Sequence, residues 1–410
     1  MPEATNPVGI IGAGTMGAGI AQVAAASGWK VILHDLSQAA GDRAVERIAS
    51  GFDRLIAKNK MTSAEAAAAR DRVATTSDLA DLAPCDLVIE AIVEQLDVKE
   101  RVLREVATIV KPDVPLATNT SSLSVSEIGR ATGEPHRVIG MHFFNPAPVL
   151  KLVEVVRGAE TSSEVADRVI LIAEAWGKHV AQASDTPGFI VNRVARPYYL
   201  EAWRVLEDGY ARVDVIDNAM KTMGGFRMGP FELTDLIGQD VNTATTDSVW
   251  QRLGEPARLA PSRLQNKLVD DGHLGRKSGR GAYAHDGENI VPAILVRRRA
   301  LELDDELSAA VAAFCDGASE EHASDLERYL FARILASIIN EAVWARHDGV
   351  ASGNDIDTAM RLGTNYPKGP IEWAEQIGWP TVIDLLQLLN RTVVDGRFAP
   401  PESLLETVRP

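Results

Sequence analysis

Val8-Gly9-Ile10-Ile11-Gly12-Ala13-Gly14-Thr15-Met16-Gly17 opens the chain's first regular pattern. An apolar run of strand character ends on glycines spaced Gly-x-Gly-x-x-Gly, and a helical pattern continues from Met16 to about Ser27. In that context Gly12 makes the tight turn, Gly14 lets backbone approach a pyrophosphate, and Gly17 permits close helix–strand packing. The helix N-terminus, with Thr15 and Met16 in its first turn, offers N–H groups and partial positive charge to phosphates. A glycine-rich turn of no function is the competing reading. Lys30–His34 is a second strand-like run and ends at Asp35, 18 residues beyond Gly17. A carboxylate there accepts from both ribose hydroxyls of an adenosine and repels a 2′-phosphate, which favours NAD over NADP. The alternative for Asp35 is a helix N-cap.

The rhythm set by this unit continues. Strand-like runs recur at Asp86–Ile89, Leu116–Thr118, Arg137–Met141, Leu152–Val156 and His179–Ala181, with helical patterns such as Ala39–Asn59 and Val98–Val110 between several of them. This predicts an α/β, Rossmann-type doubly wound and mainly parallel sheet over residues 1–186. After Asp185-Thr186-Pro187-Gly188 nearly everything reads as helix, so an all-α domain is expected from 187 to 284. Sliding the chain against itself by 140 residues aligns Glu201 with Glu341, Asp208 with Asp348, Asp217 with Asp357, Gly229-Pro230 with Gly369-Pro370, and Glu232 with Glu372. Residues 320–410 therefore read as a partial second copy of the helical domain, with 285–319 as a connector.

Composition narrows the functional classes. The 410 residues are 46% hydrophobic and 24% charged, which is ordinary for a globular protein. The net charge of −15 argues against a nucleic-acid or anionic-membrane role. No apolar run approaches a membrane span, and the first residues lack the pattern of a secretory leader. Two distant cysteines fit a reducing cytoplasm, and no residue cluster suggests a metal. The acid is uneven: −6 over 1–185, +1 over 186–284 and −10 over 285–410.

Two segments carry polar groups at strand ends, where ligands of open α/β sheets collect. One is Asn119-Thr120-Ser121-Ser122-Leu123, and the other is Gly140-Met141-His142-Phe143-Phe144-Asn145-Pro146. His142 is the histidine flanked by an apolar strand and a turn, suited to proton exchange in a partly dry site. Glu154 ends the next strand-like run and could hold the imidazole in one tautomer. Spacing alone favours a structural histidine beside a solvated glutamate. Arg54-Leu55-Ile56-Ala57-Lys58-Asn59-Lys60 supplies three positive charges with no acid among them, on the helix expected after Asp35. A solvated helix face is an equal alternative for that segment.

Taken in order, Gly12–Gly17, Glu90-Ala91-Ile92-Val93-Glu94, Asn119–Leu123, His142–Pro146, Lys151–Glu154, Asp185–Arg193 and Gly275–Tyr283 resemble the L-3-hydroxyacyl-CoA dehydrogenases, including the 3-hydroxybutyryl-CoA dehydrogenases. The resemblance runs from about residue 7 to Tyr283. It implies NAD-dependent, reversible oxidation of an L-3-hydroxyacyl-CoA in fatty-acid or short-chain acyl-CoA metabolism, as in β-oxidation. It implies His142 as general base and Glu154 as its partner. Ser121 and Asn192 would hydrogen-bond the reacting oxygen or the thioester. Asn145 would sit near the nicotinamide, Glu94 and Lys99 would meet the cofactor, and Lys58 and Lys60 would contact coenzyme A. Short members of the family dimerise through the helical domain, so either a homodimer or pseudo-dimeric packing of the two copies is expected. In the repeat register Asn192 falls on Ala332, so the second copy lacks that polar residue and reads as structural. A related hydroxy-acid or sugar-acid dehydrogenase resembling lambda-crystallin is the competing enzyme reading. A non-catalytic NAD-binding protein would have lost at least one site residue, and all are present.

Overall fold

β1 (Val8–Ile11), α1 (Thr15–Ala26) and β2 (Val31–His34) form the opening unit of the chain, in a computed structural model that describes residues 6–287 and 289–407. The chain divides into two compact units, residues 1–189 and 190–410. In the first, α2 (Gln38–Ala57), α3 (Ser63–Arg70), β3 (Val73–Thr76), β4 (Leu87–Glu90), α4 (Leu96–Ile109), β5 (Leu116–Thr118), α5 (Val125–Thr132), β6 (Val138–Phe143), β7 (Leu152–Arg157), α6 (Ser163–Ala175) and β8 (His179–Ser184) follow. Their strands form one eight-stranded sheet in the order β3-β2-β1-β4-β5-β6-β7-β8. The order reverses at β1, so the crevice beyond β1 and β4 is a topological switch point. Apolar residues of β1, β4, β6 and β7 are sealed between the helical layers.

All neighbouring strands are parallel except β6 and β7. Their connection, residues 144–151, holds no helix to carry the chain back across the sheet, so the pair is antiparallel. It contains the cis peptide Asn145–Pro146. Three strands were not anticipated from sequence. β3 is a half-buried edge strand of Val-Ala-Thr-Thr, too short and polar to announce itself. β9 (Tyr283–Asp286) and β10 (Asn289–Pro292) form a hairpin where a bare connector was expected. The Asp286-Gly287 dipeptide, with Gly287 at φ 60°, was the available signal.

The second unit is otherwise helical: α7 (Val191–Val194), α8 (Arg196–Glu207), α9 (Val213–Gly224), α10 (Pro230–Ile237), α11 (Gln239–Arg252), α12 (Arg263–Asp270), α13 (Asp305–Ala318), α14 (Asp325–His347), α15 (Gly353–Thr364), α16 (Pro370–Ile377), α17 (Trp379–Thr392) and α18 (Glu402–Thr407). α13 lies in the expected connector and packs against α14, α16 and α17. The residues shared by the two copies have structural tasks. Asp217 accepts from the N–H groups of Phe231 and Glu232 at the start of α10, and Asp357 accepts from those of Ile371 and Glu372 at the start of α16. Each helix begins Gly-Pro because the glycine sits against that aspartate, where a Cβ would collide.

The copies pack face to face, α14 on α8 and α9, through reciprocal buried ion pairs. Arg193 Nε reaches Glu341 Oε1 at 2.7 Å and its Nη2 reaches Asp348 at 2.6 Å. Arg333 Nε reaches Glu201 Oε1 at 2.6 Å and its Nη2 reaches Asp208 at 2.9 Å. Arg258 completes the Glu341 side, and Arg204 and Arg397 complete the Glu201 side. Burial pushes the Glu201 carboxyl up, but the surrounding arginines outweigh it and hold the pKa at about 2.

Glu201→Ala leaves Arg333 and Arg397 buried without that carboxylate, and a loss of about 3–5 kcal/mol is expected from denaturant unfolding of the helical unit. Because the folded pKa is depressed, the Glu201 contribution is complete above the ordinary carboxylate range. It should fade as pH falls from there towards about 2. Ending the chain after residue 285 uncovers the α8–α9 face. Size-exclusion chromatography should find the product insoluble or newly dimeric, and a well-behaved monomer would contradict this.

Candidate active site

The glycine loop closes tightly on itself. Gly12 sits at φ 103°, and a Cβ on Gly17 would lie 1.7 Å from the Gly12 carbonyl oxygen, so α1 can start this close to β1 only with glycine. At Gly14, the N-cap of α1, an added Cβ would meet nothing within 4 Å. That open space faces a helix start with no acidic residue in its first turn, and Gly14 and Thr15 are exposed there. Met16 is half-buried against the core. Asp35 Oδ2 accepts from the Ala13 N–H at 2.8 Å, so the carboxylate is tied to the glycine loop itself. The N-cap of the helix that follows, α2, is Ser37 and not Asp35. These features fit a dinucleotide: a phosphate cradle with room above Gly14, and a carboxylate at the end of β2.

Around the end of β4 the carboxylates are arranged in depth. Lys99 is buried, 2.7 Å from Glu90 and 3.2 Å from Glu94. Lys99, expected to meet the cofactor, has its ammonium held between these two carboxylates beneath the surface. Glu94 is more exposed and accepts from Thr120 Oγ1 and from the N–H groups of Ser121 and Ser122. Burial raises the Glu94 pKa, but Lys99 and these donors more than offset it and hold the carboxyl below its usual range. Ser121 is thereby fixed beside Glu94 at the end of β5. Asn119 Oδ1 accepts from the Phe143 N–H at 2.8 Å and ties this loop to β6.

His142 and Glu154 are directly opposite in the antiparallel β6–β7 register. Nδ1 of His142 lies 2.6 Å from Glu154 Oε2, both residues are buried, and the imidazole packs on Phe144 and Phe189. A carboxylate accepts, so Nδ1 carries the proton and Nε2 presents its lone pair. Beyond β6, the turn with Asn145 is clamped by Lys178, a residue sequence reading missed. Its ammonium donates to the carbonyls of Ala147 at 2.5 Å and Leu150 at 2.8 Å, and burial pulls its pKa down to about 8.

The same turn walls a cleft of about 370 Å³ against α1 and α2, lined by Gly19, Ile48, Leu55 and Ala147, with Arg47, Arg54 and Lys58 also on it. Lys58 caps the C-terminus of α2. Lys60 lies beyond the helix that was expected to carry it and is not among the cleft residues. Asn192 stands on α7 in the helical unit, four residues before Arg196.

Residues 7–186 match the family described as 3-hydroxyacyl-CoA dehydrogenase, NAD binding domain, and residues 188–285 and 329–409 match its C-terminal domain. The chain belongs to the 3-hydroxyacyl-CoA dehydrogenase family. Among relatives, a 3-hydroxyadipyl-CoA dehydrogenase of Escherichia coli is 40% identical over 96% of this chain and 95% of its own length. A probable 3-hydroxybutyryl-CoA dehydrogenase of Deinococcus radiodurans is 44% identical over 68% of this chain and 99% of its own. Among solved structures, a 3-hydroxybutyryl-CoA dehydrogenase from E. coli superposes with a TM-score of 0.87 at 39% identity, covering 98% of both chains. As a 3-hydroxyacyl-CoA dehydrogenase the chain is an NAD-dependent oxidoreductase, and its glycine loop belongs to the NAD-binding domain.

The two flanking glycines should separate folding from binding. Gly17→Ala is expected to destabilise the first unit by at least about 2 kcal/mol, since backbone must move. Gly14→Ala should leave the melting temperature nearly unchanged and weaken NAD about tenfold, or about 1.4 kcal/mol, in a fluorescence titration. Equal effects of both on stability would contradict this account of the loop.

Proposed function

We propose that the chain oxidises the 3-hydroxyl of an L-3-hydroxyacyl-CoA, and runs in reverse as a 3-ketoacyl-CoA reductase, with His142 as the general base. The observation that carries this reading is the 2.6 Å pairing of His142 Nδ1 with Glu154, which leaves Nε2 as the proton acceptor. NAD, when bound, supplies the hydride acceptor. His142 takes the hydroxyl proton as the C3–H bond breaks, and Glu154 stabilises the imidazolium that forms. In the reverse direction the same imidazolium returns its proton to the alkoxide. Ser121, and Asn192 from the helical unit, are assigned as hydrogen-bond donors to the substrate oxygens. Asp35 receives the adenosine ribose, Asn145 is assigned to the nicotinamide end, and Glu94 to the cofactor with Lys99 positioning it.

For coenzyme A we assign Lys58 and the neighbouring Arg54, whose cleft offers an apolar wall and positive charge to a phosphorylated, pantetheine-bearing ligand. Lys60 contributes at most to the surrounding field. The relatives differ in the acyl groups their names carry, adipyl against butyryl, so the six-carbon and four-carbon esters are both substrates to test. The second helical copy is assigned a packing role in place of a dimer partner. Two buried free thiols, Cys85 and Cys315, fit a reducing cytoplasmic compartment. No described helix is long and apolar enough to cross a membrane.

His142→Gln should lower kcat for acetoacetyl-CoA reduction by about 10²–10⁴-fold while leaving NADH affinity close to that of the parent protein. Turnover near the parent level would remove His142 from the mechanism. Activity on free hydroxy acids but none on the CoA ester would favour the hydroxy-acid dehydrogenase reading instead.

A further inference from the structure

Four arginines are buried among the described residues, and three of them meet a carboxylate. Arg137 pairs with Glu134, Arg193 with Glu341 and Asp348, and Arg333 with Glu201 and Asp208. Arg196 meets none. Its side chain is enclosed, the residue being 5% exposed, yet Nη1 has only long contacts, 3.2 Å to the Asn242 carbonyl and 3.4 Å to Thr246 Oγ1. Nε is buried without a partner. The guanidinium lies 5.0 Å from the Tyr199 ring. Burial pulls its pKa down.

A second unsatisfied group belongs to the same cluster. Tyr366, from the second helical copy, packs on Tyr198, which packs on Tyr199, and its hydroxyl is buried without a partner. It is close enough to Arg196 for each to act electrostatically on the other's ionisation. A desolvated guanidinium beside a spare phenolic donor is the complement of a carboxylate, which would accept from both. No protein carboxylate among the described residues takes that place.

The position suits a substrate's far end. Arg196 follows Asn192 by four residues, and Ala195 between α7 and α8 keeps helical dihedrals, φ −77° and ψ −15°. The two residues therefore stand on one face about 6 Å apart along the helix axis. With Asn192 at the thioester or the reacting oxygen, a carboxylate three C–C bonds beyond C3, roughly 4 Å further on, falls within the guanidinium's reach. We infer that Arg196, with Tyr366 beside it, receives a carboxylate at the distal end of the acyl chain, so that the substrate is a dicarboxylic acyl-CoA of about six carbons. This rests on the dehydrogenase reading above and on the place given there to Asn192. It also gives the second helical copy a part in substrate choice through Tyr366.

The test compares two six-carbon esters on the full-length protein, 3-hydroxyadipyl-CoA and 3-hydroxyhexanoyl-CoA, by kcat/KM. The parent protein should prefer the dicarboxylic ester. Arg196→Met should lower kcat/KM for that ester roughly tenfold to a hundredfold, the range of a charge-assisted hydrogen bond, and leave the hexanoyl ester nearly unchanged. Tyr366→Phe should cause a smaller loss of the same selectivity, and Arg196→Lys should retain part of it. These two variants keep the question answerable if Arg196→Met does not fold. No preference in the parent protein, or equal losses on both esters in the variants, overturns the inference while leaving the dehydrogenase intact. Inactivity of the parent protein on both esters overturns the dehydrogenase reading and this inference with it.

Discussion

The β6–β7 end of the nucleotide-binding unit depends on a single cross-strand pair, His142 opposite Glu154. Residues directly opposite in an antiparallel ladder have neighbouring side chains on one face of the sheet, so register alone brings imidazole and carboxylate together. A parallel β6–β7 connection would have required a crossover, and a slip of one residue would have sent the two side chains to opposite faces. The short return through residues 144–151 therefore has two effects. It sets the tautomer of His142, and it places Asn145 beside the same strand end, in a turn that Lys178 clamps.

A similar economy of geometry governs the helical unit. Two copies of one helical pattern present matching surfaces, so Arg193 meets Glu341 while Arg333 meets Glu201. This is the reciprocity of an isologous dimer interface, built here within one chain. Buried ion pairs contribute little net stability against an apolar alternative, but breaking one is costly, so they penalise other arrangements of the copies. The strongly acidic last third of the sequence acquires a partial explanation. Glu341 and Asp348 serve as counter-charges for arginines of the first copy, while Glu306, Asp316 and Glu372 pair at the surface.

Local pattern was enough to read the glycine loop, Asp35, the strand–helix alternation and the 140-residue repeat. Each depends on near neighbours in sequence: spacing that packs one turn, an apolar run long enough for one strand, identities preserved in one register. Harder to see were β3, whose four residues are only partly apolar, and Lys178, an isolated lysine after α6 whose partners are backbone carbonyls about 30 residues away. The burial of Lys99 was equally hidden in the sequence. Spacing relates Glu94 to Lys99, while burial against Glu90 comes from the sheet.

Element types, the nucleotide fingerprint and the second helical copy are legible in the order of residues, because local sterics and periodicity carry them. Tertiary structure alone decided which charges meet. His142 and Glu154 lie 12 residues apart, and only the antiparallel register of β6 and β7 makes them neighbours. Arg193, Arg196 and Arg333 look alike in sequence, and only the packed helices separate the two with carboxylate partners from the one without. Pairing of buried charges depends on distances between segments far apart in the chain, and no local pattern encodes those distances.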